Sequence, residues 1–292
     1  MTKTTTKDFV NKIAKQIEKL MEEHGTNWTK PWIGQGGGIP YNPARKAQYT
    51  GANVFGLWIQ GANDGYKSNE WATYKQWESL GKQVDKGQKS NAFSIFYSKV
   101  EKDDGDDYHV MRLSRVFNAE QLVDYQPEDL EEKMNEVDAL RAVDLFIESI
   151  PSNVKTGESR AYYEKESDYI MMPPAKSFIN TDDATATQNY YSTLLHEHAH
   201  WTGHKSRLDR FPNNFDKKSY AYEELVAELT SVLMSVHLGI AKTPTADHAK
   251  YLNSWRQAIY DNPRVIMKAM ADAEKAMKHL NNYSQTAVDK AA

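Results

Sequence analysis

The chain has 292 residues, with 36 Lys/Arg against 40 Asp/Glu for a net charge of -4, 40% hydrophobic residues and no cysteine. At roughly 100 to 200 residues per domain this length predicts two globular domains, and the near-balanced charge excludes a uniformly basic nucleic-acid binder and an acidic disordered solubiliser. Without thiols neither disulfides nor Cys-ligated zinc can form, so a transition-metal site has to be built from His, Asp and Glu.

The first predicted element is a helix from Asp8 to His24, where Phe9, Ile13, Ile17, Leu20 and Met21 recur at helical spacing and Gly25 stops the run. Trp28 to Pro43 carries Gly34, Gly36, Gly37, Gly38 and three prolines, and reads as a loop. Helices are predicted from Gly51 to Gln60 and from Thr73 to Leu80, then two strands, Ala92 to Val100 and Tyr108 to Phe117, joined by the acidic turn Asp103 to Asp107. The acidic stretch Gln126 to Asp138 reads as a linker running into a helix that Pro151 ends. Ser167 to Met172 is a strand stopped by two prolines, and helices follow at Gln188 to Thr202, Tyr220 to Leu238, His248 to Ile259 and Pro263 to Leu280. The fold class is α+β: an N-terminal α+β domain over 1–125, a linker over 126–138, a mainly helical domain over 139–285 and a tail over 286–292. No apolar run approaches the ~18 to 20 residues that cross a bilayer, and the polar start Met1 to Lys7 has no apolar run behind it. A soluble, cytoplasmic protein is expected, with no membrane partner.

The helix before Gly203 contains His196, Glu197, His198, Ala199 and His200, which match H-E-x-x-H. Residues four apart share a helix face, so His196 and His200 can offer imidazoles to one divalent metal, zinc or another such as Mn2+. Such a site needs a third ligand and an open position. It acidifies water, and Glu197 can take the proton and pass it to a leaving amine, the chemistry of a metallopeptidase acting on a protein substrate. The run Glu223 to Glu228 supplies the third ligand: Glu224 is assigned as ligand, Glu228 as the acceptor orienting a ligating histidine, and Glu223 as the fallback ligand. With 9 His and 20 Glu the motif arises by accident in roughly one such chain in fifty, so its helical setting matters. His198 and His204 are assigned surface or supporting roles. Tyr220 and Tyr222 are either candidate donors to an oxyanion or packing residues, and the strand Asp168 to Met172 is either a cleft edge along which an extended substrate lies or plain core.

Charge divides along the chain. Residues 1–100 hold 14 basic against 8 acidic side chains and five of the seven tryptophans, whereas residues 101–140 hold 4 against 13. Cations interleaved with aromatics suit single-stranded DNA, whose bases stack on rings within a basic groove. The candidates are Trp28, Lys30, Trp32, Tyr41, Arg45, Lys46, Tyr49, Trp71, Lys75, Trp77 and Lys86, with Lys82 and Lys89; Trp58 is assigned to the core.

Trp28-x-Lys30-Pro31-Trp32, Pro40-Tyr41-Asn42-Pro43, Tyr49-x-Gly51-x-Asn53, Trp71-x-Thr73-x-x-Gln76, Leu80-Gly81-x-x-Val84-x-Lys86-Gly87 and Val116-Phe117-Asn118-x-x-Gln121 resemble the N-terminal domain of ArdC-type antirestriction proteins. The stretch His196 to His204, then Arg207-Leu208-x-Arg210 and Glu223 to Leu229, resembles their C-terminal zincin-like domain. The resemblance runs from about Asp8 to Leu280 and departs in the Gly-rich segment Gly34 to Gly38. It implies a protein of conjugative plasmids or phages that binds single-stranded DNA through its N-terminal domain and helps incoming DNA escape restriction. It also implies metal binding by His196, His200 and a glutamate of the Glu223 to Glu228 run. Two further readings follow: a DNA-shielding protein whose metal is structural, and a DNA-localised protease acting on proteins attached to DNA.

Overall fold

Helix α1 (Thr6–His24) starts where the Thr5 hydroxyl accepts from the Asp8 amide while the Asp8 carboxylate accepts from the Thr5 amide, a reciprocal cap. Its stripe of Phe9, Ile13, Ile17 and Met21 is buried. The computed structural model describes all residues except 1–4, 26–27, 29–37, 101–107, 127–135, 182–183, 213–215, 241–248 and 292. Lys30, Trp32, Gly34 to Gly37, the acidic turn and most of the acidic linker lie outside the described residues.

A two-residue hairpin, β1 (Tyr41–Asn42) with β2 (Ala47–Gln48), precedes α2 (Ala52–Asp64). α2 runs four residues past the predicted end because Gly65 supplies the left-handed cap, at φ +76°. After β3 (Trp71–Ala72) and the short α3 (Tyr74–Ser79), strands β4 (Ala92–Val100) and β5 (Tyr108–Asn118) pair antiparallel from Ala92↔Val116 to Val100↔Tyr108. The sheet order is β3-β5-β4, which leaves β4 on an edge.

Helix α4 (Glu136–Ser149) leads to a second sheet of β6 (Asn153–Thr156), β7 (Tyr162–Glu164) and β8 (Tyr169–Met172), ordered β6-β8-β7 with β6 parallel to β8. β8 is therefore the central strand, paired on both sides. Of the two readings of this strand, the cleft edge falls and the core remains, because the short strands β6 and β7 occupy its edges. Four helices complete the fold: α5 (Ala186–Trp201), α6 (Lys217–His237), α7 (Ala249–Asp261) and α8 (Arg264–Ala291).

The core crosses the expected domain boundary. Phe9, Ile13 and Ile17 of α1, Phe55 and Trp58 of α2, and Trp71 belong to one buried cluster with Leu225 and Leu229 of α6, Trp255 and Ile259 of α7, and Ile266 and Met270 of α8. Trp28 meets Trp255 edge-on at 6.3 Å between ring centres. A second cluster packs Val143 and Phe146 of α4 and Ile170 and Met172 of β8 against Leu194 and Leu195 of α5. The second sheet thus backs α5 directly.

Helix α5 is started by Thr185, whose hydroxyl accepts from the Gln188 amide while the Gln188 side chain accepts from the Thr185 amide. Thr185→Ala removes this cap and is expected to lower stability by about 1 kcal/mol, read from the shift of the urea midpoint.

Candidate metal centre

One turn apart on α5, His196 and His200 bring their Nε2 atoms to 3.1 Å. Glu224 of α6 places Oε2 3.5 Å from His196 Nε2 and 3.8 Å from His200 Nε2. Among the described residues, these three side chains form a group whose ligand atoms all lie within 4.8 Å of one another. Tetrahedral bonds of ~2.0 to 2.2 Å place donor atoms roughly 3.4 Å apart, so the two imidazoles and the carboxylate fit one divalent ion with little movement. The donor set, two nitrogens and one oxygen, is the kind that leaves a fourth position open.

The electrostatics favour positive charge at the same point. Burial works against charge on His200, but the Glu223 and Glu224 carboxylates beside it prevail and push its imidazole up to about 10. Burial also opposes ionisation of Glu224, yet hydrogen bonds to His196 and His200 hold its carboxyl far below the usual range. Glu197, buried and next to His196 in sequence, adds its negative charge to the field at His200.

At His200 the carboxylate beside the outer ring nitrogen is that of Glu223, the fallback ligand of the sequence reading. Its Oε1 lies 3.3 Å from His200 Nδ1, the nitrogen facing away from the ligand group. Glu228 is fully buried one turn after Glu224. Glu223 lies ~100° around the helix from Glu224, so one carboxylate meets Nε2 and the other Nδ1 of the same ring.

Arg210 holds Glu223 in place. Its Nη2 donates to Oε1 at 2.7 Å and its Nε to Oε2 at 3.0 Å, while further N–H groups donate to Ala199 O and Thr202 Oγ1, both at 2.7 Å. Gly203 makes room for this guanidinium: a Cβ there would stand 3.0 Å from Arg210 Nη2 and 2.9 Å from Phe211. Sequence reasoning gives Arg210 no role, although its position in Arg207-Leu208-x-Arg210, close behind the motif, is visible. Arg207 pins the same turn to the second sheet, bonding Asp168 and the Tyr163 hydroxyl and lying 3.8 Å over the Trp201 ring.

His198 is not a surface residue. It is wholly buried, its Nδ1 lies 2.8 Å from the Leu194 carbonyl and its Nε2 2.9 Å from Ser152 Oγ. A carbonyl neighbour puts the ring proton on Nδ1, so Nε2 accepts from Ser152, and burial pushes the imidazole down to about 4. The pair ties α5 to the start of β6. His204 is half-buried beside Ser206, outside the ligand group. Of the two tyrosines, Tyr220 lies beside Glu224, whose charge together with burial raises its phenol. Tyr222 points to α8 instead, donating to Asp272 Oδ2 at 2.9 Å.

The N-terminal candidates divide by burial. Trp28 (0% exposed), Trp71 (2%) and Trp77 (0%) are core side chains. Their rings offer no face to a base, which corrects their expected role as stacking surfaces. Tyr49 is also buried, its hydroxyl donating to the Trp71 carbonyl, and Tyr41 is half-buried in β1. Arg45, Lys46, Lys75 and Lys86 are exposed, and Trp58 is core as expected. The sequence reading does not single out the exposed aromatics Tyr74, Phe96 and Tyr97.

Among the described residues no helix is long and apolar enough to cross a membrane. Residues 3–146 match the N-terminal domain of anti-restriction factor ArdC and residues 141–272 a zincin-like metallopeptidase domain, the two meeting within α4. The uncharacterized protein y4eC of Sinorhizobium fredii is 31% identical over 289 residues, covering 94% of this chain and 92% of that protein. A DNA primase TraC of Escherichia coli is 34% identical over 96% of this chain, which spans 27% of the primase's length. Two crystal structures of the antirestriction protein ArdC from plasmid R388 superimpose with a TM-score of 0.77 at 35% identity; the Mn(II)-bound one covers 94% of this chain and 97% of its own, the metal-free one 96% and 98%. With both halves matched, and with y4eC and the R388 protein each aligned over more than nine-tenths of both chains, the chain belongs to the ArdC antirestriction family.

Proposed function

We propose that this protein is an antirestriction factor of a plasmid or phage that acts in the bacterial cytoplasm, binds single-stranded DNA through its N-terminal region (1–125) and carries a metal-dependent peptidase site in residues 139–285. The observation that carries the peptidase reading is the convergence of His196, His200 and Glu224 on one point with Glu197 beside them. The donor set suits zinc, and the Mn(II) in the R388 relative makes manganese the second metal to assay.

When bound, the ion supplies Lewis acidity toward a peptide carbonyl and toward water. Glu197 accepts the proton of the attacking water and returns it to the leaving amine. His200 is kept in the tautomer that presents Nε2 by donating from Nδ1 to Glu223. Tyr220, beside Glu224, is the candidate donor to an oxyanion.

Elemental analysis of the purified protein, with a cleavage screen run with and without single-stranded DNA, tests the whole reading. About one equivalent of divalent metal and chelator-sensitive cleavage are expected. Cleavage confined to DNA-bearing reactions points to protein substrates attached to DNA; chelator unfolding of the C-terminal region with no cleavage at any stage makes the metal structural. Affinity for single strands is expected to fall with salt by a log–log slope of ~0.7 per phosphate contacted, and a flat salt response removes the phosphate-binding groove.

A further inference from the structure

A cleft of about 740 Å³ lies beside β4, an edge strand among the described residues, and is lined on its far side by α8. Its walls come from both ends of the chain: Arg45, Asn53, Phe96 and Tyr97 on one side, Arg264 and Glu274 of α8 on the other. Phe96 and Tyr97 are 38% and 67% exposed, unlike the buried tryptophans. Adjacent residues of a strand project to opposite faces, so the two rings flank the edge from both sides. Arg45 and Arg264 are exposed cations on its two walls, whereas the Glu274 carboxylate is ion-paired with Lys278.

We propose that this cleft holds single-stranded nucleic acid, with bases stacked on Phe96 and Tyr97 and phosphates at Arg45 and Arg264. The proposal rests on the single-strand binding proposed above and gives it a location that includes the C-terminal region. An extended peptide adding to β4 is the competing occupant, but the edge is already taken at Ile95: Asn53 Nδ2 donates to its carbonyl at 2.9 Å and Asn53 Oδ1 accepts from its amide at 2.5 Å. With that edge bonded, the cleft offers a ligand rings and guanidinium groups, the combination that takes a polyanion carrying flat bases.

The test is anisotropy of a fluorescein-labelled single-stranded oligo(dT) with the full chain. Phe96→Ala and Tyr97→Ala should each weaken binding about tenfold. Arg45→Gln and Arg264→Gln should each lower the salt slope by about 0.7. Tyr260→Ala, which removes an exposed ring outside the cleft, should bind as wild type, and melting temperatures show that each variant is folded. If wild type binds and all four cleft variants bind equally well, the cleft is not the site, and single-strand binding survives elsewhere on the surface. Should wild type fail to bind at all, the cleft falls together with the reading beneath it. Cleft variants that keep oligonucleotide affinity but lose a peptide cross-link to β4 would overturn the proposal in favour of a peptide site.

Discussion

The Glu197→Gln protein is expected to keep its fold and its metal and to lose ~10²- to 10⁴-fold in peptide hydrolysis, the range of a general base. Gln preserves the volume of this buried side chain, so packing is unchanged. It cannot accept a proton at neutral pH, and that is the one function the substitution removes. It also takes away one of the negative charges acting on His200. A small loss of metal affinity is expected for that reason, much smaller than the loss from His200→Ala, which deletes a ligand. Initial rates at saturating metal separate the two effects. Wild-type turnover by Glu197→Gln would show that the proton is carried by another group, and Tyr220, beside Glu224, is the next side chain to vary.

Arg210→Met should destabilise the metal-free protein by about 3 to 5 kcal/mol, because it leaves Glu223 buried without its guanidinium partner. Burial opposes the Glu223 charge, and Arg210 with His200 keeps the carboxyl below its ordinary range. Metal affinity should also fall ~10- to 100-fold, since the carboxylate that orients His200 is no longer fixed. Urea unfolding measures the first effect and calorimetric titration with zinc or manganese the second. A double variant with Glu223→Gln should recover part of the stability and none of the affinity. If it recovers both, Arg210 acts on folding alone and Glu223 does not position the histidine. Gly203→Ala should move both quantities in the same direction by less, because its methyl presses on the guanidinium.

That His196 and His200 face one point was legible because both sit on one helix, where spacing alone fixes their relation. Glu224 could be placed beside them, since a third donor on a later helix is what such a pair calls for. Which neighbouring glutamate orients His200 was not legible: the answer depends on the rotation of α6 about its own axis against α5, and helical periodicity leaves that free. The central place of β8 was hidden for a related reason. Its partners β6 and β7 are four and three residues long, the first exposed and the second half-buried, with no run of alternating apolar residues to mark them. In the N-terminal region composition identified rings and cations but not their sides. Trp71 and Trp77 are large enough to anchor the core, and the exposed rings among the described residues of that region are Tyr74 on α3 with Phe96 and Tyr97 on β4. The buried stripe of α1 was visible as a stripe. What it faces at α7 and α8 was not, because most of the chain separates these helices.

That separation bears on how the protein is made. Helix α1 packs against α7 and α8, and Arg256 of α7 reaches Glu22 of α1 across 234 positions of sequence. During synthesis Phe9, Ile13 and Ile17 emerge from the ribosome long before Trp255, Ile259 and Ile266 exist to cover them. Phe9 and Ile13 also meet α2 and β4, which follow soon after, but the part of the stripe that faces α7 and α8 stays open until the last helices arrive. Such long-range closure predicts slow final folding and a single cooperative unfolding transition spanning both family regions.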